Sequence, residues 1–353
     1  MQSPFVTWQN SRQDGSIDTS GAKKGTMAAD PDDAIQEEVA GFQNQFGLIV
    51  GNVEHVLKGK TDVIRLAVTC MLSDGHLLIE DVPGVGKTSL ARALAETIDG
   101  SLQRIQFTPD LLPTDVTGVQ IYNQGKNTFE FHDGPVFANV VVADEINRAS
   151  PKTQAALLEV MEEHQVTVDG APRPVPDPFL VLATQNPIEL DGTYELPEAQ
   201  LDRFLMRLHI GYPDAAAEME ILDQHEKRWD RTELTPVVDT VRFAQMTRIA
   251  DRVHVGPFAK EYVVALSNAT RVRPDVRIGV SPRGTIALAS AARAWAASQG
   301  RHFVAPDDIR LMAPHVLPHR LVVTPEAELR GITGNDIINE VLSQTPVDET
   351  ARG

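Results

Sequence analysis

Residues 77–94 read Leu77-Leu78-Ile79-Glu80-Asp81-Val82-Pro83-Gly84-Val85-Gly86-Lys87-Thr88-Ser89-Leu90-Ala91-Arg92-Ala93-Leu94. An apolar run leads into a glycine-containing loop, and the loop into an Ala- and Leu-rich stretch that favours helix. That order is the context a phosphate-binding loop requires. Backbone N–H groups wrap the phosphates, and the helix N-terminus adds the positive end of its dipole. Gly84 and Gly86 allow close approach and positive φ, where a Cβ would clash. Pro83, Val85 and Ser89 complete the cradle. Lys87 is expected to reach the β- and γ-phosphates, and the Thr88 hydroxyl to ligate Mg²⁺. The pattern G-x-x-x-x-G-K-[ST] wants glycine at position 81, where this chain has Asp81. An ordinary strand-to-helix turn is the competing reading of so short a motif, and the flanking strand and helix weigh against it.

Two more apolar runs supply what a phosphate site needs. Val140-Val141-Val142-Ala143 passes directly into Asp144-Glu145. A buried strand thereby presents two carboxylates at the sheet edge where ligands bind. Asp144 is expected to hold Mg²⁺ through water, and Glu145 to polarise the attacking water. Two acids capping the helix from Ser150 onward form the alternative, which leaves the apolar run unexplained. Phe179-Leu180-Val181-Leu182-Ala183 ends in Thr184-Gln185-Asn186-Pro187. Asn186 at that strand tip is placed to hydrogen-bond the attacking water and the γ-phosphate, although Asn-Pro is also a common turn starter.

Outward from these motifs the chain alternates short apolar runs with helical patterns from about Ala34 to Tyr212, the signature of a doubly wound parallel α/β sheet. The unbroken runs are those of strands covered on both faces, whereas Leu102 to Phe107 alternates with period two. Residues 1–34 are rich in Ser, Gly, Asp, Gln and Thr and read as a flexible tail. After Gly211-Tyr212-Pro213, four helical patterns (215–225, 243–253, 257–268 and 283–297) are separated by Pro and Gly breaks. The expected division is a tail at 1–34, an α/β core at 35–212, an all-helical domain at 213–345 and a short tail at 346–353.

Two β-hairpins are expected as insertions, at 119–131 around Asn123 to Asn127 and at 165–170 with the Asp169-Gly170 turn. Phe129 and Phe131 alternate with Glu130 and so pack one hairpin face. Pro318 between His315 and His319 spoils a continuous helix and removes the case for a metal site there. Arg271, Arg273 and Arg277, with Asp275 among them, read as a solvated loop. Cys70 falls in a helical pattern with Ile64, Ala67 and Val68 and reads as a buried small hydrophobe.

Composition narrows the partners. The 353 residues carry 49 acidic and 32 basic side chains, a net charge of −17. Nucleic acid or an anionic membrane as the main partner is therefore not expected. A single cysteine leaves no internal disulfide and no Cys-based zinc site, as in a reducing compartment. No apolar run approaches the ~20 residues of a membrane helix, and Met1 to Gly21 lack the apolar stretch of a secretion signal. The expectation is a cytoplasmic protein.

Taken together, GVGKTSLARAL, VVVADEINRASPKTQAALLEVMEE, ATQNP, LPEAQLDRFLMR and VSPRGTIAL occur in the order found in AAA+ ATPases. Arg104 to Gly118 and His132 to Ala149 resemble signature stretches of the MoxR family, a likeness covering about residues 40–330. The resemblance implies an AAA+ core with a helical lid, ATP and Mg²⁺, and a ring, usually a hexamer. It makes Ile49-Val50-Gly51-Asn52 the hinge-side segment that contacts adenine, and Asn186 the sensor that reads the γ-phosphate. Arg203 resembles the arginine finger that reaches a neighbour's ATP, and Arg283 the second sensor on the lid. A salt bridge with Asp202 or Glu198 is the competing role for Arg203. The family further implies chaperone-like remodelling or maturation of a protein client, including metal insertion, alongside a partner carrying a VWA-type domain. A nucleic-acid motor of a related clade and a nucleotide-gated scaffold with little turnover stay open as rival functions.

Overall fold

The computed structural model describes residues 31–185, 194, 196–226 and 234–346. Two helices, α1 (Pro31–Glu54) and α2 (Thr61–Leu72), precede β1 (Leu77–Glu80), α3 (Lys87–Thr97) and β2 (Leu102–Gln106). A short α4 (Pro113–Thr117) opens a hairpin of β3 (Gly118–Asn123) and β4 (Thr128–Asp133). Then come β5 (Val140–Asp144), α5 (Pro151–Glu163), a hairpin of β6 (Gln165–Val168) and β7 (Ala171–Pro174), β8 (Leu180–Gln185), α6 (Glu198–Leu201) and β9 (Met206–Leu208). The second half holds α7 (Ala215–Glu226), α8 (Thr240–Asp251), α9 (Pro257–Arg271), β10 (Val276–Ile278), α10 (Pro282–Ser298) and α11 (Pro306–Val316). It ends with β11 (Val322–Val323), α12 (Pro325–Glu328) and α13 (Gly334–Gln344).

The five-stranded sheet has the order β2-β5-β8-β1-β9, and every pairing in it is parallel. Side chains of a strand alternate between faces. Val140, Val142, Leu180, Leu182, Leu77 and Ile79 enter the cluster beneath α1, α2 and α3. Val141, Ala143, Val181, Ala183 and Leu78 enter a second cluster with α5, Phe107, Phe179 and Phe204. Burial on both faces explains the unbroken apolar runs. The alternating Leu102–Gln106 segment lies at the open edge, where one face is exposed. Both hairpins form as expected. Phe129 packs on Tyr122 with ring centroids 5.1 Å apart, and Phe131 meets Phe137 edge-on at 5.8 Å.

The lid shares its apolar core with the first half. Leu288, Ala291 and Ala292 of α10 lie in one buried cluster with Phe42 and Ile49 of α1 and Leu66 of α2. Alanines on α10 let the helices approach closely. The lid departs from the all-helical expectation in one place: β10 and β11 pair antiparallel through Val276–Val323. Strands this short carry no period that a sequence window detects. The solvated-loop reading of Arg273 also fails. Arg273 forks onto Asp275 at 2.8 and 2.7 Å and reaches Glu340 of α13 at 2.7 Å, leaving it 15% exposed. Its second partner lies 67 residues away.

A buried joint welds lid to core. Arg320, 2% exposed, donates to Asp202 Oδ1 at 2.8 Å and to the carbonyls of Phe204 and Leu205 at 2.8 and 3.1 Å. Ser281, the N-cap of α10, donates to Asp202 Oδ2 at 2.9 Å. Burial pulls the Arg320 guanidinium down from its usual range, and the Asp202 carboxylate opposes that pull. Removing one partner of a buried ion pair strands the other charge. Asp202→Asn is expected to cost about 3–5 kcal/mol of folding stability, read as a lower denaturant midpoint at unchanged slope; an unchanged midpoint would contradict the weld.

His319 spends one ring nitrogen on the Phe204 carbonyl at 2.9 Å, and α11 ends at Val316, ahead of it. Among the described residues no cluster of three metal-ligating side chains occurs, and no helix is long and apolar enough to cross a membrane. Cys70 is fully buried, which pushes its thiol above the usual range.

Candidate active site

β1 delivers the chain to the glycine loop, and Asp81 accounts for the missing glycine. Its carboxylate accepts the N–H groups of Ile210 and Gly211 at 2.5 and 3.0 Å. Its carbonyl accepts Lys87 Nζ at 2.5 Å. Asp81 therefore ties the segment after β9 to the loop while its backbone parks the lysine. Gly84 and Gly86 have φ of +88° and +99°, and Gly86 is the N-cap of α3. The φ of +99° at Gly86 strains any residue that carries a Cβ, and such a Cβ would also push on Leu57 Cδ1, 2.8 Å away.

A cleft of about 350 Å³ opens over the loop, lined by Pro83, Gly84, Gly86, Lys87, Thr88 and Ser89 on one side. Arg104, Gln106, Asp144, Glu145 and Thr184 line the other. Val85 does not line it; its side chain is buried in the core. Burial lowers the Lys87 ammonium from its ordinary range, and the carboxylates of Asp81, Asp144 and Glu145 counter that effect.

The two carboxylates sit in different environments. Asp144, 8% exposed, accepts Thr184 Oγ1 at 3.2 Å on Oδ1 and Arg104 Nε at 2.5 Å on Oδ2. Glu145 adopts the left-handed region at φ +55°, which turns its side chain out of the strand. Gln106 Nε2 donates to Glu145 Oε2 at 2.9 Å, and Arg148 approaches the same oxygen at 3.2 Å. Thr184 Oγ1 also accepts the Glu145 N–H at 3.0 Å, fixing the turn between the two acids. Arg104, Gln106 and Thr184 escaped the sequence reading. The alternation in β2 puts Arg104 and Gln106 on one face, and the register Gln106↔Asp144 brings that face to the acids.

Asn186 lies outside the described residues, just beyond the last residue of β8. Val50 and Gly51, expected with Ile49 and Asn52 on the adenine side, belong to the continuous helix α1 and do not line the cleft. Asn52 donates to Thr97 Oγ1 at 3.0 Å, and Thr97 is the last residue of α3, about 15 Å of helix from Lys87. The segment that does approach the loop is the α1–α2 turn. Leu57 Cδ1 occupies the space a Gly86 Cβ would need, Gly59 has φ +69°, and Lys60 Nζ donates to the Tyr212 carbonyl at 2.7 Å.

Arg203 and Arg283 lie at the opposite edge of the sheet from the cleft. His76, just before β1, donates through Nε2 to the Met161 carbonyl at 3.0 Å and accepts the Val181 N–H at Nδ1 at 3.1 Å. Its own carbonyl accepts Leu205 N at 2.9 Å. Burial holds this imidazole neutral, with its pKa lowered to about 4. The end of α5 and the start of β9 thus meet at the N-terminal edge of β1, about 13 Å of strand from Glu80. There Arg203 pairs with Glu162 at 2.9 Å, and Arg283 with the same carboxylate at 3.2 Å. The partners weighed for Arg203 are taken elsewhere: Asp202 by Arg320 and Glu198 by Arg277.

Residues 76–206 match the family described as "ATPase family associated with various cellular activities (AAA)", and residues 268–341 match its lid domain. The chain is 39% identical to Chaperone MoxR1 of Mycobacterium tuberculosis, over 93% of this chain and 89% of that protein. It is 50% identical to the uncharacterized protein YeaC of Bacillus subtilis, over 86% of this chain and 96% of YeaC. The crystal structure of a candidate ATPase from Cytophaga hutchinsonii superposes with a TM-score of 0.84 at 37% identity, covering 90% of this chain and 99% of that one. With a glycine cradle facing two buried-strand carboxylates and these relatives spanning nearly its whole length, the chain belongs to the MoxR family of AAA+ ATPases and hydrolyses ATP to ADP and phosphate.

Proposed function

We propose that the protein is a Mg²⁺-dependent ATPase that works as a ring, six-membered by family resemblance. It drives chaperone-like remodelling of a protein client in the cytoplasm, with a VWA-domain protein as partner. The observation that carries the ring is the separation just described. The cleft holds Lys87, Asp144 and Glu145 at one edge of the sheet, while Arg203 and Arg283 stand at the other. The charge that builds on the transferring phosphoryl group needs such an arginine, and a second copy can supply it. The chaperone role rests on the name of the Mycobacterium tuberculosis relative. The net charge of −17 speaks against a nucleic-acid track.

The donor set suits a hard divalent cation: the Thr88 hydroxyl and the Asp144 carboxylate both line the cleft and offer oxygen donors. Arg104, at 2.5 Å from Asp144, already shows that this carboxylate takes a cationic partner. Thr88 and Asp144 would hold Mg²⁺, which neutralises phosphate charge when bound. The protein's own part is positioning. Backbone N–H groups of Gly84 to Thr88 take the phosphate oxygens, and Lys87 leaves the Asp81 carbonyl for the β- and γ-phosphates. Glu145 orients the attacking water and accepts its proton, once Gln106 yields its hydrogen bond. Asn186 would orient the same water.

Lys87→Ala is expected to abolish nucleotide binding, measured with a fluorescent ATP analogue; ordinary affinity in that variant would sink the loop assignment. Sedimentation with a non-hydrolysable ATP analogue and Mg²⁺ is expected to give a closed oligomer, and a monomer under every nucleotide condition would contradict the ring.

A further inference from the structure

Arg203 and Arg283 come from different parts of the fold, yet their guanidiniums converge on one side chain. Arg203 follows α6 in the core, and Arg283 is the second residue of lid helix α10. Arg203 Nη2 meets Glu162 Oε2 at 2.9 Å, and Arg283 Nη1 meets Glu162 Oε1 at 3.2 Å, one carboxylate oxygen each. Arg203 is fixed further by donating from Nη1 to the Leu158 carbonyl at 2.7 Å. The buried joint sets the spacing between them. Asp202, adjacent to Arg203, holds Arg320 with one oxygen and Ser281 with the other, and Ser281 caps the turn that carries Arg283.

Two guanidiniums sharing a site repel, and these two are partly exposed, so solvent screens part of that repulsion. A single carboxylate between them cancels it and fixes both directions, because each oxygen accepts from a different arginine. We propose that Glu162 is a positioning residue that holds Arg203 of the core and Arg283 of the lid as a two-arginine clamp. The clamp's ligand is the γ-phosphate in the cleft of a second copy of this chain. This rests on the reading that the arginines act between subunits. The arginines touch the phosphate; Glu162 acts through them. Because the joint ties both arginines to Asp202, core and lid deliver the clamp together.

Glu162→Gln keeps the shape and removes the charge. Turnover per subunit at saturating protein and ATP is expected to fall about tenfold to a hundredfold, the cost of a misplaced catalytic group. Fluorescent-ATP affinity and sedimentation behaviour should stay unchanged, and Glu162→Asp should recover part of the loss. Mixing supplies the decisive readout. Glu162→Gln subunits have intact clefts and a slack clamp, whereas Glu145→Gln subunits have intact clamps and dead clefts. Combining the two impaired proteins is expected to raise turnover above either alone, because clefts of the first then face clamps of the second. Failure to recover would overturn the assignment. Arg203→Ala run in parallel separates the two layers. If it loses turnover while Glu162→Gln stays within twofold of wild type, Glu162 is not the positioning residue. If Arg203→Ala itself keeps turnover, the between-subunit reading fails first.

Discussion

Arg203→Ala is expected to lower turnover about a thousandfold while leaving the affinity for a fluorescent ATP analogue unchanged. The magnitude follows from what an arginine contributes when charge spreads over a transferring phosphoryl group, roughly 10³–10⁵ in rate. The selectivity follows from geometry. Arg203 stands with Glu162 and Leu158 at the N-terminal edge of the sheet, and among the described residues none of these partners lines the cleft of its own chain. Truncating it removes a partly exposed ion pair and the hydrogen bond to the Leu158 carbonyl, so the effect on folding stability should be about 1–3 kcal/mol. A variant that loses ATP binding together with turnover would place Arg203 in its own chain's site instead. A variant that turns over normally would remove it from the chemistry.

Glu145→Gln is expected to reduce single-turnover hydrolysis about a hundredfold or more, the range for a lost general base, with ATP binding retained. The carboxylate is held in a strained left-handed turn, with Thr184 fixing its backbone and Gln106 its Oε2. Strain of this kind persists where surrounding contacts over-determine it. Glutamine keeps the shape and one acceptor oxygen but cannot take the water's proton. Hydrolysis within threefold of wild type would reassign the base.

The local features of this protein are legible in its sequence. Lys87 and the glycines fall in one short motif, and the strands ending at Glu80, Asp144 and Gln185 are unbroken apolar runs because both faces of the sheet are covered. What sequence reading misses depends on long-range register. Arg104 and Gln106 reach the acids only because β2 pairs with β5, and Arg273 is buried only because α13 brings Glu340. The adenine-side assignment falls on the first of two Gly-containing stretches whose glycines, Gly51 and Gly59, lie eight residues apart. Ile49, Val50 and Val53 are buried at helical spacing, so α1 continues through Gly51. Gly59, at positive φ, is where the chain actually turns toward the loop. Glu162, which joins the two arginines, falls at the end of the VVVADEINRASPKTQAALLEVMEE stretch, and nothing in that stretch pairs it with Arg203 or Arg283.

We propose that each active site is completed by a neighbouring subunit. The measurement that bears on this is the specific ATPase rate against protein concentration, with Mg²⁺ and saturating ATP. The rate per subunit is expected to rise steeply with concentration and then to saturate as rings close. A rate per subunit that is already maximal at concentrations where sedimentation shows only monomer would contradict it.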